Sequence, residues 1–339
     1  MAQTVPQYTN MSNIPTPLLS RASNEKMMLM QVLVGIFLYV NCLMICTFFK
    51  KEAFRTDTRY ILFAQTLIAD SALMVFTDIA FFANYFQIPV PCIPCVIMCT
   101  IMAWLTISTP LTLVAMCLER YVAICMPLRH ASISTTRTRL LGLVLIWCLA
   151  GIPALIVFLI FAVSVPLKFF SSYLICSLEM MIIHNWQAQF RAVLFQFYFL
   201  IMSITIGFTY VKIMAAAKGA SSNKTSASKG LRTVVLHAFQ LLLCLIQLLC
   251  PYVEMAVMKI DYMLFLNVRY SNFILFVLAP RCLSPLIYGL RDEKFVVVLR
   301  YYAVFGLNKK SFHFCKLCPY HLKHGKTWPL KGKQKFWMS

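Results

Sequence analysis

The sequence predicts an all-α membrane protein: a seven-transmembrane-helix bundle with a short amphipathic helix after the seventh span. Three observations carry that reading. First, 60% of the 339 residues are hydrophobic and only 12% are charged, whereas a soluble domain carries about 25% charged residues and about half apolar ones. One soluble core cannot bury that excess, so lipid must cover much of it. Second, seven apolar blocks are each long enough to cross about 30 Å of hydrocarbon at about 1.5 Å per residue. Third, Lys and Arg collect in alternate connections between those blocks.

The blocks fall near Met27–Phe49, Tyr60–Phe86, Cys95–Leu118, Leu140–Val163, Phe190–Ile213, Leu231–Val253 and Tyr262–Tyr288. Lys50, Lys51, Arg55 and Arg59 follow block one. Arg120, Arg129, Arg137 and Arg139 follow block three, and Lys212, Lys218, Lys224, Lys229 and Arg232 follow block five. The tail from Arg291 to Lys335 is basic as well. The positive-inside rule puts these three connections and the tail in the cytosol. An odd number of spans then places the N-terminus outside. The division is residues 1–26 as an extracellular N-terminus, 27–288 as the transmembrane domain, and 289–339 as a cytosolic amphipathic helix and basic tail.

The first 26 residues are polar and contain no apolar signal-peptide core, so block one is expected to serve as the targeting signal. Asn10-Met11-Ser12 is a glycosylation sequon on the expected outer side. Asn223-Lys224-Thr225 also matches, but in a loop expected to be cytosolic, Ala215–Gly230, whose Ser, Ala, Gly and Lys content reads as flexible. In the tail, Phe295, Val298, Leu299 and Tyr302 recur at helical spacing beside Arg291, Lys294 and Arg300, the pattern of a helix lying on the membrane surface.

Composition and motifs also exclude function classes. The net charge of +20 is distributed between apolar blocks, not gathered on a folded basic face, which argues against nucleic acid. Cys315, Cys318, His321 and His324 have donor spacing reminiscent of zinc, but too few residues separate the two pairs to build a finger. Those cysteines read better as palmitoylation sites. There is no G-x-S-x-G, H-E-x-x-H or Gly-rich phosphate loop, so neither an enzyme nor a cofactor is expected. No internal repeat is visible, which disfavours a repeat-built transporter.

Most of the 14 cysteines, such as Cys42, Cys46, Cys99, Cys117, Cys148 and Cys244, lie inside apolar blocks as small hydrophobes. Cys176 stands alone in the second outer connection. Arg120 marks the inner face and lies about 37 Å of helix beyond Cys95, so Cys95 sits at the outer face, in an oxidising environment. Cys92, one turn away, is a rival partner for Cys176. Asp70, Asp78, Arg191, Glu254 and Arg281 lie in or near the blocks. A mid-membrane charge costs about 2.5–3.5 kcal/mol on insertion scales, so each needs a partner or water. For Arg281 the candidates are Asp70 or backbone carbonyls. For Arg191 they are an anionic ligand group or the interface, reached by snorkelling.

At the inner end of block three the string Met116-Cys117-Leu118-Glu119-Arg120-Tyr121-Val122-Ala123-Ile124-Cys125-Met126-Pro127-Leu128-Arg129 strongly resembles the signature of odorant receptors of the rhodopsin-like class. Asn41, Asp70 and Trp147 fall where that class has its most typical residues. Ser284-Pro285-Leu286-Ile287-Tyr288 resembles its N-P-x-x-Y motif with Ser for Asn. Pro280-Arg281-Cys282 and Gly289-Leu290-Arg291-Asp292-Glu293-Lys294-Phe295 resemble the branch best known from bony fishes. Block six lacks the Cys-Trp-x-Pro motif of the wider class, as odorant receptors generally do. His237 is similar in placement to a histidine they carry in that block, and Pro251 lies further out.

The resemblance implies a plasma-membrane receptor that detects a small-molecule odorant outside and couples to a heterotrimeric G protein inside. A receptor for a peptide or pheromone-like cue is the alternative within the class, and a transporter the alternative outside it. It favours Cys95 over Cys92 as the partner of Cys176. It places a pocket in the outer halves of helices three, five, six and seven, with Met102, Thr106, Leu194, Tyr198, Leu248, Tyr252, Ile274 and Val277 as candidates and Arg191 at its rim. Glu119, Arg120 and Tyr121 become the coupling residues. In the wider class the acid matching Asp70 often helps hold sodium. Here Thr109 stands where odorant receptors often have a second acid, so a direct or water-bridged Asp70–Arg281 pair is expected instead.

Overall fold

A computed structural model describes residues 16–50, 52–129, 135–176, 178–219, 224–258 and 260–284. The sequon at Asn10, Asn223, Pro285–Tyr288, the amphipathic helix and the cysteine–histidine tail lie outside the described residues. Seven long helices form an antiparallel bundle: Thr16–Lys50, Thr58–Tyr85, Cys92–Cys125, Thr136–Ser164, Asn185–Gly219, Lys224–Met258 and a seventh that runs through Tyr262–Asn272, Phe273–Leu278 and Ala279–Ser284. Six of these are long and apolar enough to cross a membrane. The sixth in order contributes a shorter apolar stretch at Val234–Cys244 among the described residues.

Several helices extend past their apolar blocks. Among the described residues helix one spans Thr16–Lys50, so it reaches at least eleven residues ahead of the block at Met27. Helix two begins behind Asp57, whose carboxylate accepts the Arg59 N–H at 3.0 Å, as an N-cap does. It closes at Phe86 and Gln87. Gln87 takes a positive φ of 51°, while Ile88 N–H returns to Ala83 O at 2.8 Å, the left-handed stop of a helix C-terminus. Gln187 caps helix five by accepting the N–H groups of Ile183 and His184. It also donates to Ser164 Oγ at the end of helix four, at 2.7 Å.

Helix three is the hub and packs on helices two, four, five and six. Just ahead of it, strand β1 (Val90–Pro91) pairs antiparallel with β2 (Tyr173–Leu174). Cys92 N–H donates to Ser172 O at 2.9 Å. The second connection at this end is thus laid against the first, a pairing that no sequence pattern announced.

Helix seven departs from α geometry. Phe273–Leu278 is a π stretch, and Ala279 N–H reaches back to Ile274 O. Pro280 follows directly. Its ring has no N–H to give and crowds the preceding turn, and widening that turn is one of the few responses available to a helix.

The outside of the bundle is apolar. Val32, Ile36, Leu141, Leu145, Leu159, Phe197, Leu200 and Ile204 are all exposed large hydrophobics, which only lipid can cover. Inside, contacts are tight. Gly151 on helix four faces Trp104 of helix three. That indole donates to Trp147 O at 2.9 Å and meets the Trp147 ring edge-on at 6.1 Å. A Cβ at Gly151 would lie 3.1 Å from Trp104 Cε2, against a ring held on two sides. Gly151→Ala is expected to destabilise the bundle by about 1–3 kcal/mol, read as a lower Tm of the detergent-purified protein. Gly142→Ala, which meets nothing within 4 Å, is the matched control.

Candidate functional site

Four layers of polar or open structure follow one another along helix three. At one end Cys95 and Cys176 form a disulfide, with Cα atoms 5.6 Å apart. Cys92 is buried and carries a free thiol. The bridge lies in an apolar cluster with Val96, Cys99, Phe161 and Met181, and Asn84 Nδ2 donates to Cys176 O at 2.5 Å. Cys99 Sγ lies 3.9 Å from Cys176 Sγ, so a second sulfur of helix three stands within reach of the same partner.

Below this roof, a narrow cleft opens between helices three, five and six. Thr106, Ile107, Pro110, Phe195, Phe199, Met202, Cys244 and Gln247 line it. Of the residues expected from sequence, Thr106 is in the wall. Met102 packs instead with Leu73, Met74 and Leu278, and Val277 joins the same cluster. Leu194 and Ile274 are half-buried, and Tyr198 packs beside Phe199 and Met202. Tyr252 is exposed, its hydroxyl donating to Ala188 O at 3.4 Å. Arg191 is half-buried near the start of helix five and outside the lining. Leu248 is helical, and its side chain lies outside the described residues. Phe195 and Phe199 sit one position from the expected Leu194 and Tyr198. Helix five is apolar nearly all round, so its sequence carries no periodic signal to choose between neighbouring faces.

The third layer is a buried ion pair. Arg281 Nε lies 3.5 Å from Asp70 Oδ1, and both side chains are 2% exposed or less. Thr109 donates to the same carboxylate oxygen at 2.7 Å. Arg281 Nη1 also donates to Val277 O and, at 3.4 Å, to Gln247 Oε1. Arg281 therefore meets both the carboxylate and a backbone carbonyl. Gln240 Nε2 donates to Pro280 O at 2.7 Å, which ties helix six to the same turn of helix seven. The other intramembrane acids are partnered as well: Asp78 accepts from Gln31 at 2.7 Å and Glu254 from Asn272 at 2.9 Å.

At the far end of helix three, Arg120 Nε lies 3.5 Å from Glu119 Oε2, both side chains partly exposed. The Tyr121 ring packs on Phe208 of helix five at 5.8 Å. His237 is fully buried on helix six.

This arrangement is that of a membrane receptor, and the chain belongs to the 7 transmembrane receptor (rhodopsin family), whose sequence profile it matches over residues 40–288. It is 50% identical over 320 residues to the zebrafish (Danio rerio) protein named Odorant receptor 131-2, an alignment covering 94% of this chain and 96% of that one. The chain is thus a multi-pass membrane protein and a G-protein-coupled receptor, homologous to a fish odorant receptor and outside the enzyme families.

Two sets of variants test these layers. Asp70→Asn or Arg281→Gln alone strands a buried charge, an expected loss of about 3–5 kcal/mol, measured as lower thermal stability and lower surface amount. The double variant should recover part of that loss, and a double no better than the worse single would separate the two residues energetically. At the disulfide, Cys95→Ser should lower surface delivery. Because Cys99 Sγ lies 3.9 Å from Cys176 Sγ, Cys95→Ser/Cys99→Ser is expected to lower it further, with the pairing read by peptide mapping without reduction.

Proposed function

We propose that the chain is a chemosensory receptor of the plasma membrane with its N-terminus outside. A small-molecule odorant binds the cavity between helices three, five and six, and a heterotrimeric G protein engages the Arg120 end. The observation that carries this reading is that the three helices lining the cavity continue into one apolar cluster, which reaches Tyr121 beside Glu119 and Arg120. The name of the zebrafish relative supports the chemosensory part, and the alternation of basic connections supports the orientation.

The mechanism follows from population shift: an agonist activates only if it binds one helix arrangement better than another. Below the cavity, helices three, five and six meet through Cys117, Met202, Ile206, Ile213, Val234 and Leu241. Apolar contacts of this kind hold helices together without fixing their register. A ligand that repacks Phe199, Met202 and Cys244 acts directly on that seam, since Phe199, Met202 and Cys244 belong to both the wall and the cluster. Displacement of helices five and six at the far end would then uncover Arg120, which Glu119 holds in this structure.

An odorant panel applied to cells expressing the chain, read as second messenger, is expected to give concentration-dependent responses. Arg120→Ala should abolish them while the receptor remains at the surface. A normal response from that variant would remove Arg120 from the coupling site, and solute flux without second messenger would favour a transporter.

A further inference from the structure

The cavity and the buried ion pair share one residue. Gln247 lines the cavity, and its Oε1 accepts from Arg281 Nη1, the guanidinium that neutralises Asp70. We propose that Gln247 both selects the ligand and reports its presence: it favours uncharged, largely apolar molecules bearing a carbonyl-type oxygen, and passes occupancy to the Arg281–Asp70 pair. The inference rests on the receptor reading above and names the ligand class for that same cavity.

The ligand class follows from the donors and acceptors in the wall. None of the eight lining residues is charged, so an ionic ligand would enter desolvated and unpaired at a cost of several kcal/mol or more. Arg281 does not offer its charge, because Asp70 already balances it at 3.5 Å. Five of the lining side chains are aliphatic, aromatic or thioether, and Pro110 lacks a backbone N–H. Thr106 commits its hydroxyl proton to Met102 O at 2.8 Å. Cys244 offers only a weak S–H donor. The strong side-chain donor left for a ligand is the Gln247 Nε2 amide, whose own Oε1 already serves Arg281. A site with one strong free donor among its lining side chains selects a molecule with one acceptor.

Coupling follows from the geometry of the amide. Its carbonyl and its NH2 are fixed to one planar group, so a ligand oxygen that draws Nε2 toward the cavity turns Oε1 relative to Arg281. Arg281 then depends more heavily on Val277 O and Asp70, on helices seven and two. A buried polar group cannot shed a partner without compensation, so the helix six contact to helix seven changes with occupancy.

The test compares methyl ketones with alkanes of equal chain length, and with alkanoates and alkylammonium ions, on cells expressing the full chain, read as second messenger. The wild-type receptor should answer the ketones at lower concentration than the alkanes. In Gln247→Met that potency ratio should fall roughly five- to tenfold, the worth of one hydrogen bond, and the maximal ketone response should fall with it. The ratio is internal to each receptor and does not depend on the amount expressed. Should Gln247→Met fail to reach the surface, Gln247→Glu, which keeps an acceptor beside Arg281 and replaces the amide donor, serves the same comparison. An unchanged ratio overturns the selecting role, and a reduced ratio with full maximal response overturns the reporting role. Responses confined to the charged compounds overturn the ligand class and leave the receptor reading standing. Silence to every compound class at normal surface amount removes both.

Discussion

A buried carboxylate and the guanidinium beside it govern the centre of this bundle. Asp70 and Arg281 are 0% and 2% exposed, and neither could remain ionised there alone. Their pairing fixes helix seven against helix two, and what surrounds it follows from that. Thr109 brings helix three to the carboxylate, and Gln240 and Gln247 bring helix six to the turn that carries Arg281. The π stretch Phe273–Leu278 lies in the turn that leads through Ala279 and Pro280 to Arg281. Four helices therefore meet at one charge pair.

Elsewhere the helices are registered by single polar contacts. Lipid is as apolar as the side chains it touches, so hydrophobicity alone gives helices in a membrane little reason to associate. Gln31–Asp78 joins helices one and two, as does Asn41–Ser71. Gln65–Thr112 joins two and three, Trp104–Trp147 three and four, and Ser164–Gln187 four and five. Glu254–Asn272 joins six and seven. Where helices five and six meet helix three below the cavity, an apolar cluster fills the contact, with the weak Cys125 thiol contact to Lys212 O, at 3.7 Å, at its end. The bundle thus combines seams held mainly by strong polar contacts with one, from the cavity toward the Arg120 end, held mainly by apolar packing.

How much of this was legible in the sequence depended on the kind of signal involved. The spans were legible because a membrane demands long apolar blocks, and several helices run a turn or more beyond the blocks into polar sequence. The Arg281 contacts were legible because a buried charge admits few partners. The cysteine pairing was narrowed by position to Cys95 or Cys92, and only family resemblance separated them. The cavity wall was not legible in detail. Neighbouring residues such as Leu194 and Phe195 differ by about 100° around the helix, but in a helix apolar on every face both satisfy the same pattern. Gln247 was missed for a different reason. An uncharged amide in an apolar block raises no alarm until the structure shows it between a cavity and an arginine.

The identity of the central cation has a mechanical consequence. A carboxylate in this position can be neutralised by an ion from solution or by a side chain. An ion can leave, and its departure lets the helices around it move independently. Arg281 cannot leave, because it is built into helix seven directly after Pro280. Any displacement of helix seven relative to helix two must therefore carry the guanidinium along or separate two buried charges. Separation at that depth costs several kcal/mol, more than the 1–3 kcal/mol typical of coupling between sites. Rearrangements within reach of a small ligand are those that keep Arg281 beside Asp70 and move helix six past them. The contacts that change in such a motion are the ones helix six makes, through Gln240 to Pro280 O and through Gln247 to Arg281. The strong pair is thus the fulcrum, and the weaker amide contacts are where binding energy can act.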